Sequence, residues 1–142
     1  MFSDQSVSVA TFAAVFGALY AAHQVADHWI QTQHQATCKG KPGWPGRVAC
    51  AAHVATYTAT ALLALLAVAW RTGLGLSPVP LAAGLAVSAI SHYVADRRTP
   101  LRWMADRLGK DPDWLDNGGG MYAMDQSWHV GWLAVAALVV TG

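Results

Sequence analysis

His23-Gln-Val-Ala-Asp27-His-Trp-Ile-Gln31 sets an imidazole, a carboxylate and an amide at successive four-residue steps. On an α-helix, positions four apart lie on one face, one turn above another. The run therefore predicts a single stripe of three polar side chains. The residues around it are apolar. Burying such a stripe is unfavourable unless other polar groups or ions pair with it. The rest of the chain is read as the source of those partners.

Composition points to a lipid environment. Of 142 residues, 54% are hydrophobic and 12% charged, against about 25% charged in soluble domains. The formal net charge of +1 gives no basic footprint for a nucleic-acid partner. All acidic residues are Asp. Cys38 and Cys50 form no CxxC pair and no disulfide framework, and are expected as free thiols. The first apolar segment lacks a basic leader and a clear cleavage motif, so it reads as a retained helix and not a signal peptide.

A bilayer-spanning helix needs about 20 mostly apolar residues. Four segments approach this: 7–33, 48–70, 79–96 and 122–141. A short amphipathic helix is expected over 100–109, with Thr99 as its cap and Pro100 in its first turn. The run Asp111-Pro-Asp-Trp-Leu-Asp-Asn-Gly-Gly-Gly120 reads as a flexible loop; it lacks the Lys-Ser/Thr of a phosphate-binding loop. The predicted fold is all-α: a single transmembrane domain over 1–142, a four-helix bundle running up-down-up-down in the lipid bilayer.

Loop charges predict orientation. Lys39, Lys41 and Arg47 lie in the first connection, and Arg97, Arg98, Arg102, Arg107 and Lys110 in the third; only Arg71 lies in the second. The positive-inside rule makes the first and third connections cytoplasmic and both termini extracytoplasmic, in the cell (inner) membrane. Trp29, Trp44, Trp103, Trp114 and Trp128 fall near the basic boundary, as an interfacial aromatic belt would.

Partners for the opening stripe then fall at one depth. His53 opens the second segment, with Tyr57 four residues on. His92 and Asp96 close the third, and Asp125 and His129 open the fourth, both pairs at four-residue spacing. Ionisable residues inside membrane helices face the bundle interior and mark function. Converging carboxylates repel one another unless protonated or bound to cations. The expected metal ligands are therefore His23, Asp27, His53, His92, Asp96, Asp125 and His129, enough for one or two divalent ions. Mixed imidazole and carboxylate suits zinc, iron or manganese. His28 and His34 lie off the stripe and read as interfacial, with Gln31 at the rim.

The pieces His23-x3-Asp27-x3-Gln31, His53, Ser91-His-Tyr-Val-Ala-Asp-Arg-Arg-Thr-Pro100 and Met124-Asp-Gln-Ser-Trp-His129 resemble the DUF3307 family of small bacterial and actinophage membrane proteins. The resemblance implies a multi-pass membrane protein from an actinobacterium or its phage, and implies no particular activity. A looser similarity links the architecture to membrane-bound metal-dependent hydrolases, which also carry His and Asp on membrane helices.

The leading expectation is a metal-dependent hydrolase working at the cytoplasmic leaflet. Asp27, Asp96 or Asp125 would serve as general base, and Arg97, Arg98 or Arg102 would hold a lipid or other anionic head group. Alternatives are a non-catalytic metal staple or sensor, ion or proton transport, and haem ligation. Ala13, Gly17 and Ala21 would allow close helix contacts, including those of a homo-oligomer.

Overall fold

The structure is a computed structural model and describes residues 4–142, with side chains from Val7 onward. Every regular element among the described residues is helical. Helix α1 spans Asp4–Val25 and continues into a wider π turn, Ala26–Ile30, closed by Gln31 N–H donating to Ala26 O at 2.8 Å. A short helix α2 (Gln33–Cys38) follows, then α3 (Gly43–Thr72), α4 (Pro78–Asp96), α5 (Thr99–Arg107), α6 (Pro112–Asp116) and α7 (Gly120–Thr141).

Three helices are long and apolar enough to cross a membrane: Val7–Ile30, Gly43–Thr72 and Pro78–Asp96. Helix α7 is 22 residues long. Its first half carries Asp125-Gln-Ser-Trp-His129, which dilutes its apolar character. Val79, Leu63, Ile90 and Leu138 are all more than half exposed on the outside of the molecule. An apolar exterior over a small polar interior suits a lipid surround.

Small residues set the helix spacing. Val15, Ala18, Leu19 and Ala22 of α1 pack with Ala61 and Leu65 of α3 and with Leu133, Ala136, Ala137 and Val140 of α7. Helix α4 packs against α7 and α3. Gly84 lets α4 approach α7: a Cβ there would lie 2.8 Å from the Ala136 carbonyl and would collide with the Val140 side chain. Close backbone approach over small residues is how helices gain dispersion energy where lipid is as apolar as the side chains.

Local signals explain where the elements depart from expectation. The four-residue period predicts a first helix reaching residue 33. It ends earlier because Thr32-x-x-Gln35 is a capping box: Thr32 Oγ1 accepts from Gln35 N–H at 3.2 Å, and Gln35 Oε1 accepts from Thr32 N–H at 2.9 Å. Helix α3 starts at Gly43, ahead of the expected 48, because Pro45 sits in its first turn, where no N–H is needed. At 30 residues it is about 45 Å long, more than a hydrocarbon core requires. The segment expected as a flexible loop contains α6, capped by Asp111, whose carboxylate accepts from Trp114 N–H at 2.8 Å. The glycines after it make room for Trp114, since a Cβ on Gly118 or Gly120 would meet that residue. Thr99 does not cap α5. The residue before that helix is Arg98, whose φ of 59° makes it the centre of a γ-turn, with Thr99 N–H donating to Arg97 O at 2.6 Å. Turns of this kind with positive φ are rare and strained.

Candidate metal centre

Four donor atoms from three elements converge on one point. The Nε2 atoms of His53 on α3 and His92 on α4 are 3.0 Å apart. His53 Nε2 lies 3.3 Å from Asp27 Oδ1 of the π turn and 3.4 Å from Asp96 Oδ2 at the end of α4. His92 Nε2 lies 3.5 Å and 3.3 Å from the same two oxygens. All four side chains are at most 9% exposed. A tetrahedral ion with ligand distances of about 2.0–2.1 Å separates its ligand atoms by about 3.3–3.4 Å. Five of the six separations within the nest, at 3.0–3.5 Å, are therefore close to the edge lengths of a tetrahedral site.

Hydrogen bonding leaves the nest unsatisfied. Asp27 Oδ1 and Asp96 Oδ2 are buried without a hydrogen-bond partner, as are the Nδ1 atoms of His53 and His92. The rings are held by packing. Tyr57 stacks on His92 with centroids 4.0 Å apart, and its hydroxyl bonds to Ser88 of α4. A divalent cation suits this donor set because two imidazole lone pairs and two carboxylate oxygens address one position.

Lys39, which the stripe reading did not find, completes the charge pattern. Its ammonium is 2.7 Å from Asp96 Oδ1, the oxygen turned away from the nest. Arg97 holds the connection that delivers it, donating from Nη1 to Lys39 O at 2.5 Å and from Nη2 to Lys41 O at 2.6 Å. Gly46 is needed beneath this strap, since a Cβ there would meet the Lys41 carbonyl. One ammonium thus stands beside the two carboxylates of the nest. No local pattern links Lys39 to Asp96; they are neighbours only in space.

The other three expected ligands gather beside the nest. His23 is fully buried, both of its ring nitrogens lack hydrogen-bond partners, and Nδ1 is 3.7 Å from Asp27 Oδ2. Its ring stacks on His129 of α7 with centroids 4.7 Å apart. His129 Nδ1 donates to the Asp125 carbonyl at 2.8 Å, which leaves Nε2, buried and unpartnered, as a lone pair. Asp125 Oδ2 is 3.5 Å from the same Nδ1, and the Asp125 side chain is 27% exposed. Three overlapping trios bring ligand atoms within 4.8 Å of one another: His23, Asp27 and His92; His53, His92 and Asp96; Asp96, Asp125 and His129. All seven residues thus belong to one connected cluster.

The three carboxylates of the cluster, Asp27, Asp96 and Asp125, border a 910 Å³ pocket together with Lys39, Arg98 and Gln126, while the four histidines of the cluster lie behind that lining. Gln31 also lines it, although it has left the stripe: at ψ 124° it ends the helix, and its Nε2 is buried without a partner. Of the three arginines expected to meet an anionic group, Arg97 is engaged by the strap. Arg102 is engaged by Asp106 at 3.0 Å and by Asp116. The Asp116 and Asp106 carboxylates push the Arg102 guanidinium above its ordinary value, so it stays charged. Arg98 makes no ion pair among the described residues and borders the pocket. His28 is exposed, with Nδ1 donating to Gln24 O at 3.0 Å, and His34 is exposed with Cys38 Sγ 3.8 Å away. Both cysteines are free, Cys50 buried and Cys38 partly so.

No curated protein and no solved structure matches this chain. The model of the family described as "Protein of unknown function (DUF3307)" matches residues 15–142, a span that takes in every residue of the His/Asp cluster, and the chain belongs to that family.

Proposed function

We propose that this is a multi-pass membrane protein whose four long helices run up-down-up-down, with α7 as the fourth span. Its His/Asp cluster binds a divalent metal near the cytoplasmic face and hydrolyses an ester in an amphiphile with an anionic head group. The observation that carries the metal reading is the nest itself: the buried His53 and His92 nitrogens lie 3.0 Å apart, and each is 3.3–3.5 Å from a carboxylate oxygen of Asp27 and of Asp96. The orientation rests on the basic residues, all but Arg71 of which lie in the connections at the cluster's end.

A bound divalent ion supplies Lewis acidity and lowers the pKa of water. The chain supplies the rest. Lys39 neutralises the outer oxygen of Asp96 and points the other at the nest. Of the three candidate bases, Asp27 and Asp96 are engaged by the nest, which leaves Asp125, the most exposed of them and a pocket-lining residue. Arg98 is the guanidinium free to hold the head group. The pocket lies where a substrate in the leaflet could reach it from the bilayer surface.

A second reading, a metal that only staples the helices, is favoured by one specific feature. The nest offers four protein ligands, and a structural site is closed, whereas a catalytic one keeps an open position. Elemental analysis of detergent-purified protein, followed by hydrolysis assays on phosphate and carboxylic esters of a long-chain alcohol, tests both. Metal in the wild type, lost in His92→Ala, with chelator-sensitive ester cleavage supports the hydrolase. Metal without cleavage, and loss of thermal stability in chelator, supports the staple. A metal-free wild type with unchanged stability in chelator overturns both.

A further inference from the structure

We infer that the cluster holds a second divalent cation, bound by Asp96, Asp125 and His129 on the pocket side of the nest, with its remaining coordination position open to the pocket. The inference rests on the metal reading proposed above and adds to it the open position that the nest lacks.

Six of the seven ionisable residues fall into two sets that share Asp96, and His23 stands beside the first with Asp27 and His92. The nest is built from four donor atoms, two imidazole nitrogens and two carboxylate oxygens, and both of its carboxylates, Asp27 and Asp96, border the pocket. In the Asp96, Asp125 and His129 trio, one ligand atom of each residue lies within 4.8 Å of the others, and Asp125, 27% exposed and bordering the pocket, opens it to that side. Three protein ligands with a vacant fourth direction is the pattern of a catalytic site.

His129 is the independent pointer. It is 3% exposed, and its ring proton is committed to the Asp125 carbonyl through Nδ1 at 2.8 Å. In the neutral ring, Nε2 is therefore a lone pair, and it is buried with nothing donating to it. A buried imidazole fixed through one nitrogen and bare at the other is how metal-ligating histidines are oriented. The Asp125 carboxylate, 3.5 Å from that Nδ1, reinforces the same tautomer.

Asp96 belongs to both sets. Its Oδ2 lies in the nest, and it is also a member of the pocket-side trio. A shared carboxylate holds two cations close together, as in two-metal hydrolases, where the pair clamps the attacking and leaving oxygens of a displacement. The ligand class fitted by the open position is an oxygen anion: the phosphoryl or carboxylate oxygen of a substrate entering beside Arg98.

The test uses the full-length protein in detergent, loaded with Mn²⁺ alone and freed of excess ion. Two ions per chain and an exchange-coupled manganese EPR signal are expected for the wild type. Asp125→Asn and His129→Gln should each lower the count to one ion and abolish the coupling, with helicity by circular dichroism unchanged. Asp125→Asn also separates two roles for that residue: a general base would be lost with metal content intact, a ligand together with one ion. A wild type holding one ion, kept in both variants and lost in His92→Ala, overturns the second site and leaves the first reading standing. A wild type with no ion overturns both. Two uncoupled ions, or two ions retained in both variants, would place the second elsewhere and overturn the assignment.

Discussion

At one end of α1, α3, α4 and α7, His and Asp side chains meet across 3.0–3.7 Å with several of their polar atoms unpartnered. Further along the same helices, Ala22, Ala61, Leu65, Ala136 and Val140 close the interior with no polar atom to satisfy. Tyr57 and Ser88 mark the seam, hydrogen-bonded to each other with the Tyr57 ring against His92. The two layers use one scaffold for opposite purposes. The apolar layer is saturated: each side chain has its partners, and small residues let the backbones approach. The polar layer is unsaturated: several of its nitrogen and oxygen atoms are buried without a hydrogen-bond partner. On the proposed metal reading, its stability depends on a bound cation, whereas that of the apolar layer does not.

That contrast can be broken at either layer. The largest effect is expected for His92→Ala, which removes a member of the four-atom nest. Metal affinity, followed by elemental analysis across a chelator series, should fall by more than the ~10–100-fold typical of changes to residues that merely orient a ligand. Retention of metal at wild-type affinity would show that the nest is not the site.

Lys39→Met should separate the metal-free and metal-loaded proteins. Without metal, Lys39 is the ammonium that pairs with Asp96, and breaking a buried ion pair costs about 3–5 kcal/mol. With metal, the ion continues to neutralise the carboxylates, so the loss should be smaller. Thermal unfolding in detergent, with and without chelator, reads the difference; equal losses in both would contradict this role.

Gly84→Val acts on the apolar layer. The new side chain meets Val140 and the Ala136 carbonyl, and overpacking of this kind costs about 1–3 kcal/mol. Stability should fall while the metal content of the folded fraction stays unchanged, because α4 and α7 loosen away from the nest. The smallest effect belongs to Arg98→Gly. Glycine tolerates the φ of 59°, so relief of the γ-turn should stabilise the fold by roughly 1 kcal/mol. Loss of the guanidinium should at the same time weaken binding of a phosphate-headed detergent, measured by calorimetry.

Much of the site is legible in the amino-acid sequence alone. His92 with Asp96, and Asp125 with His129, are visible because four-residue spacing puts two side chains on one helix face. His53 is visible only through its depth in an apolar segment. The stripe breaks at Gln31 because two local signals compete: the four-residue period argues for continuation, and the Thr32-Gln35 capping box argues for a stop. The box prevails because it satisfies two backbone donors that the start of α2 would otherwise leave bare. Lys39 is not legible, since a loop lysine carries no period and its partner is set by where Arg97 straps the chain.

The sequence by itself determined the helical character and membership of the DUF3307 family, and it marked four apolar segments, three of which fold into helices long and apolar enough to cross a membrane. These follow from period, composition and local spacing, which act along the chain. Only the tertiary structure decided which donor atoms of the seven residues meet, which arginine makes no ion pair among the described residues, and that Lys39 and not a neighbouring arginine pairs with Asp96. Those outcomes depend on distances of a few ångströms between helices far apart in the chain. Such distances are set by side-chain volume at contacts such as Gly84 against Val140, and no local pattern encodes them.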